Sequence, residues 1–144
     1  MSNPDRLTAL DAAFLHIETG EAHMHVASIM VFEGEPPAYD DVLATLDERM
    51  HLVPRYRQKL AWVPLDQGRP VWVDDPHFNL GYHVRHSALP APGSDEQLAA
   101  LGGRIFAVGL DRHKPLWEIH LVEGLAPGPD GMPRFALLAK THHA

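Results

Sequence analysis

The sequence has no cysteine in its 144 residues. Disulfides, thiolate metal sites and a cysteine nucleophile are therefore excluded here, in keeping with a reducing compartment. Basic residues are also scarce: 12 Lys and Arg stand against 19 Asp and Glu, a net charge of −7. That balance argues against a nucleic-acid partner, because a phosphate backbone rewards basic surfaces. The one basic cluster, Arg55-Tyr56-Arg57-Gln58-Lys59, is short and reads as a solvated face. No apolar run approaches the roughly 18 residues that a membrane span needs. The opening MSNPDRLTAL lacks the basic-then-apolar order of a secretory signal, so a cytoplasmic location is the expectation. Serines are few (Ser2, Ser28, Ser87 and Ser94) and none stands in G-x-S-x-G. A phosphate loop, a dinucleotide glycine fingerprint and HExxH are all missing.

What is present suits one globular domain. Hydrophobic residues make up 45% and charged residues 22%, which is ordinary for a chain able to bury a core. The periodicity predicts a mixed α/β layer, with helices and strands interleaved but not in strict alternation. Residues 8–17 read as a helix capped by Thr8, with Leu10, Phe14 and Ile17 on one face. Residues 24–32 are apolar on both alternating faces and rich in Val and Ile, which predicts an interior strand. Residues 40–53 carry a stripe of Leu43, Leu46, Met50 and Val53 and stop at Pro54. Residues 59–63 and 70–73 are short strand candidates with Trp62 and Trp72 as anchors, and residues 80–86 are a third. Ser94 and Gln97 form a capping-box pattern ahead of Leu98, Leu101, Ile105 and Val108, with Gly109 as a stop. Residues 116–123 alternate, with Trp117, Ile119 and Leu121 on one side and Glu118 and His120 on the other. A Gly/Pro-rich loop joins them to a final apolar strand over residues 135–139, its expected antiparallel neighbour.

Histidine is the plentiful reactive residue, with 11 in the chain. Most have an ordinary reading: His51 on a helix, and His77, His83, His86 and His113 at the surface. His23 and His25 are two apart near a strand edge and point to one face, but no third ligand at a metal-binding spacing accompanies them. The remaining pair, His142 and His143, closes the apolar strand in FALLAKTHHA. A histidine pair at a strand mouth suits acid–base chemistry. Neighbours on an extended chain point to opposite faces, so one can face a site while the other faces the packing side. Spacing alone leaves open that both merely end a strand.

Three segments narrow the reading. KTHHA resembles the start of the HHxxxDG motif of the coenzyme A-dependent acyltransferase superfamily, which includes chloramphenicol acetyltransferase-like enzymes and peptide condensation domains. LTALDAAFLHIE, residues 7–18, resembles the opening of the bacterial wax ester synthase/diacylglycerol acyltransferase family. DRHKPLWEIHLVEGL, residues 111–125, resembles that family's PLW segment, here Pro115-Leu116-Trp117, and PRYRQKL, residues 54–60, stands where the family has it.

The resemblance implies the amino-terminal part of a chloramphenicol acetyltransferase-like fold, which has two halves and a tunnel between them. Residues 1–144 would be one half, truncated inside the motif, with two further residues and then Asp-Gly expected beyond Ala144. The implied activity is acyl transfer from acyl-CoA to diacylglycerol or a long-chain alcohol, with acyl-CoA as substrate and no bound cofactor or metal. By the same resemblance His143 is the general base and His142 a positioning residue, while Trp117 is expected to pack in the core. The implied partners are the carboxy-terminal half of the same protein and its lipid substrates, with peripheral contact to membrane or lipid inclusions. Two alternatives stand beside this: a condensation-type domain taking acyl groups from a carrier protein, and a non-catalytic half-domain that binds lipid or a partner.

Overall fold

The computed structural model describes residues 5–18 and 23–142. Its centre is a four-stranded mixed sheet in the order β1-β6-β5-β4. The strands are β1 (His25–Glu33), β4 (Val84–Ala88), β5 (Trp117–Glu123) and β6 (Arg134–His142). β6 pairs antiparallel with both β1 and β5, whereas β4 and β5 are parallel. Parallel neighbours need a crossover, and α4 (Asp95–Phe106) supplies it. A separate two-stranded antiparallel ribbon is formed by β2 (Gln58–Ala61) and β3 (Val71–Asp74).

Each face of the sheet is covered in part, by a different cluster. Val122, Ala136 and Leu138 pack beneath Leu98 and the partly buried Leu101, Ile105 and Phe106 of α4. Val84, Trp117 and Ile119 face the other way, against Met50 and the partly buried Leu43 and Leu46 of α2 (Tyr39–Arg49). Trp117 is 5% exposed, as the alternation of its strand requires. A third cluster joins Leu7 and Leu15, from the segment and helix α1 (Ala9–Ile17), to Leu60, Leu110 and Leu116. Each fully buried leucine contributes about 1.5–3 kcal/mol.

Local signals formed as their chemistry dictates. The Thr8 side chain accepts from the Asp11 N–H at 3.1 Å. Both bonds of the Ser94–Gln97 capping box are made, at 2.8 and 3.2 Å. β5 and β6 are antiparallel neighbours.

Five expectations need correction. β1 is an edge strand, with Val26, Ile29, Met30, Val31 and Phe32 all exposed by 39% or more; its two-faced apolarity is real, but among the described residues little covers it. Helix α1 buries Ala12 and Leu15, leaving Leu10 and Ile17 exposed. The helix carries two apolar stripes, and periodicity cannot choose between them. Residues 80–83 form a helical turn, α3 (Leu80–His83), because the Asn79 side chain accepts from the Gly81 N–H; the strand begins only at Val84. α2 gives way to a 3-10 turn at Met50–Leu52, before Pro54. Trp62 is also exposed, so only Trp72 anchors the ribbon.

Candidate active site

The site is built where β6 ends. His142 is the last residue of that strand, is 5% exposed, and pairs in register with His25 of β1. Its backbone N–H donates to the Leu116 carbonyl at 3.0 Å. Its Nε2 lies 2.6 Å from Oε2 of Glu18, the residue that caps the carboxy-terminal end of α1. The same carboxylate oxygen accepts from Arg112 Nη2 at 3.1 Å. That guanidinium also donates to the Leu15 carbonyl at 2.7 Å, locking helix α1 to the loop after α4. Oε1 of Glu18 sits 3.4 Å from Nδ1 of His23. Burial pushes the Glu18 carboxyl up, but the bonds from His142 and Arg112 together hold it below its usual value.

His23 and His25 stack at 5.5 Å between ring centroids. His25 Nε2 donates to the Phe106 carbonyl at 2.8 Å, and burial, only partly offset by that bond, lowers the pKa of its imidazole. No group of three His, Asp or Glu side chains with the makings of a metal site occurs among the described residues.

The end of β6 also borders a cavity of about 410 Å³, which both Thr141 and His142 line, within the range of small-molecule sites. Thr141, Trp117, Tyr56, Trp72 and Arg6 are among its walls. Trp117 is fixed there by a bond from Nε1 to the Tyr56 carbonyl at 2.8 Å and by stacking on His83 at 4.7 Å. Arg55 lies over the Trp72 ring at 5.1 Å, so part of the basic cluster forms cavity wall as well as solvated surface.

Residues 7–144 match the wax ester synthase/diacylglycerol acyltransferase catalytic domain. The chain belongs to the wax ester synthase/diacylglycerol acyltransferase family. It is 46% identical over 142 residues to the probable diacylglycerol O-acyltransferase tgs3 of Mycobacterium tuberculosis, covering 96% of this chain and 50% of that protein. With the probable diacylglycerol O-acyltransferase tgs1 of the same organism it shares 42% over 141 residues, or 29% of that protein. Among solved structures, the wax ester synthase/diacylglycerol acyltransferase of Marinobacter aquaeolei VT8 superposes with a TM-score of 0.74 at 34% identity, covering 96% of this chain and 34% of that one. The first condensation domain of the calcium-dependent antibiotic synthetase gives 0.73 at 19% identity, over 99% of this chain and 33% of that one; that likeness is one of fold. The chain thus spans half or less of the relatives it matches.

Of the two histidines singled out by the sequence, His142 is the last residue of β6, while His143 lies outside the described residues. His83, expected at the surface, is instead buried between Phe78 and Trp117, with Nδ1 donating to the Trp117 carbonyl at 2.7 Å. Sequence reasoning passed over Glu18 and Arg112, although each stands inside a segment that carries the family resemblance. A buried acid and base in two such segments was the available signal.

Proposed function

We propose that this chain is the amino-terminal half of an O-acyltransferase that moves a fatty acyl group from acyl-CoA to diacylglycerol or a long-chain alcohol. Membership of the family supports the reaction class. The observation that carries the site is the end of β6, where His142 is pinned by Glu18 and lines a cavity together with Thr141.

An alcohol is a poor nucleophile at neutral pH, whereas a thioester is already an activated acyl donor. A base must take the hydroxyl proton as the oxygen attacks the thioester carbonyl. An imidazole with an ordinary pKa of about 6.5 is mostly neutral at pH 7 and can accept it. The C–S bond then breaks and the imidazole returns the proton to the departing thiolate, leaving an ester and free coenzyme A. No covalent enzyme intermediate is required. His143 takes this role and His142 positions it. The rest of the tunnel wall, and the cover for the open side of β1 and β6, come from the carboxy-terminal half of the parent protein. The described residues include no helix long and apolar enough to cross a membrane; the lipid acceptor is met from the cytoplasmic side of a membrane or lipid inclusion.

The test is His143→Ala in the full-length protein, assayed with a fatty acyl-CoA and either acceptor. General-base loss lowers kcat by about 10²–10⁴-fold with the melting temperature unchanged. A folded variant with near-wild-type turnover would overturn the assignment. The carrier-protein alternative draws only on likeness of fold.

A further inference from the structure

Glu18 joins three elements that are far apart in sequence. It ends α1, its carboxylate meets the last residue of β6, and it accepts from Arg112 in the loop that leads to β5. Its side chain is 9% exposed and that of His142 is 2% exposed. A buried charge is retained only where its partners satisfy it, and here they do so at one oxygen. An ionised carboxylate has no hydrogen to donate, so the His142 ring nitrogen facing it at 2.6 Å must carry one. That fixes the tautomer and, with it, the orientation of the ring. The main chain of the same residue is bound to Leu116, immediately before Trp117. His142 is therefore held at both ends, by side chain and by backbone, on the residue before the proposed base.

From this geometry we infer that Glu18 and Arg112 are positioning residues for the histidine motif: the Arg112-held carboxylate of Glu18 clamps His142, the residue next to the proposed base, at the edge of the cavity. The inference rests on the acyltransferase reading. Arg112 does more than neutralise Glu18. Its Nη2 bonds both Oε2 of Glu18 and the Leu15 carbonyl one turn earlier. A planar guanidinium serves both partners at fixed angles, which an ammonium on a flexible stem does not do. Supporting partners of this kind matter because a misplacement of about 1 Å at a reacting group can cost about 10²-fold in rate.

The experiment uses the full-length enzyme and the variants Glu18→Gln, Arg112→Lys, His142→Ala and the double variant Glu18→Gln/His142→Ala, with His143→Ala as a reference. Active fraction is corrected by thermal melts. Glu18→Gln is expected to lower kcat by roughly 10- to 100-fold with KM within about threefold, since the amide keeps the shape but loses the charge-assisted bond. Arg112→Lys should fall in the same direction by less. The double variant should be no slower than His142→Ala, because Glu18 acts through that ring. A purely structural role predicts lower melting temperatures with unchanged kcat per folded molecule, and that result overturns the inference. So does a double variant in which the two losses multiply. If Glu18→Gln fails to fold, Arg112→Lys decides on the same criteria. If His143→Ala retains activity, the base assignment fails while the Glu18–His142 coupling is still read from the cycle. If His143→Ala is inactive and Glu18→Gln is not impaired, only the present inference fails.

Discussion

His83 and Glu18 are both buried and ionisable, yet their surroundings treat them differently. His83 is enclosed by the Phe78 and Trp117 rings, and burial lowers its pKa more than its bond to the Trp117 carbonyl raises it. It is a packing residue that stays neutral. Glu18 is desolvated too, but two cationic or N–H partners more than repay that, and its folded pKa lies below the ordinary 4.5. Glu118 behaves likewise: burial raises it, while His120, Lys140 and Arg85 together bring it below 4.5. Every one of these groups releases its proton more readily in the folded state. The unfolded chain therefore binds more protons in acid, and stability falls as pH drops. Loss is expected to begin below pH 6.5, where unfolded histidine protonates and His83 and His25 resist it. It continues below 4.5 as the two carboxylates are forced to protonate. Urea unfolding of the full-length protein across this range checks the sign. His83→Gln should flatten the upper part of the acid limb and Glu18→Gln the lower. A stability that rises on acidification from neutral pH would contradict the account.

Helix α4 shows what local sequence can and cannot specify. Its start was readable because a capping box is made by residues three apart. Its end was not: Nζ of Lys140, 32 to 35 residues away, donates to the Val108 and Ile105 carbonyls at 2.6 and 2.9 Å. The same lysine lies 3.6 Å from Glu118, which lets it be 1% exposed. The glycines inside the helix also differ in a way composition cannot reveal. A methyl on Gly102 would stand 2.8 Å from Ile29 Cδ1 on β1, while one on Gly103 would meet open space. Gly103→Ala should therefore raise stability by about 0.5–1 kcal/mol through helix propensity alone. Gly102→Ala should gain less, because Ile29 must move to admit it. Chemical denaturation of the two variants measures the order, and a larger gain at Gly102 would show that α4 does not approach β1 so closely.

At the scale of the whole molecule, one side of the sheet is unfinished. Register places Val26, Met30 and Phe32 on the same face as Thr141, Leu137 and Phe135. Phe32 and Phe135 stack at 5.3 Å, yet Phe32 remains 39% exposed and Val26 55%. The exposed Leu10 and Ile17 of α1 add apolar surface elsewhere. A contiguous patch of this kind drives association when nothing covers it. Residues 1–144 expressed alone should run as concentration-dependent oligomers on size exclusion, with little transferase activity. The substitutions Met30→Lys and Phe32→Lys together should shift that equilibrium toward monomer. A monodisperse, active monomer across concentrations would remove the case for a covering half. Glycine geometry supports the rest of the sheet edge: Gly93 has φ +71°, and a Cβ there would fall 1.8 Å from the Gly124 carbonyl oxygen, so the loop ends of β4 and β5 close backbone to backbone.

The sequence by itself determined the mixed α/β class, the caps of α1 and α4 and the pairing of β5 with β6. Each of these rests on residues a few positions apart, or on strict alternation, where local chemistry has one answer. It also determined the family, through segments long enough to be specific. Only the tertiary structure decided which stripe of α1 is buried, that β1 lies at an edge, that residues 80–83 turn helically and that His83 is core. In those stretches both faces are apolar or the signals compete, and the choice falls to whatever packs against them. The same holds for the clamp at the site. Glu18, Arg112 and His142 are up to 124 positions apart, and no local rule brings a carboxylate to a ring across that distance. The sheet register and the closure of α1 against the loop after α4 do so.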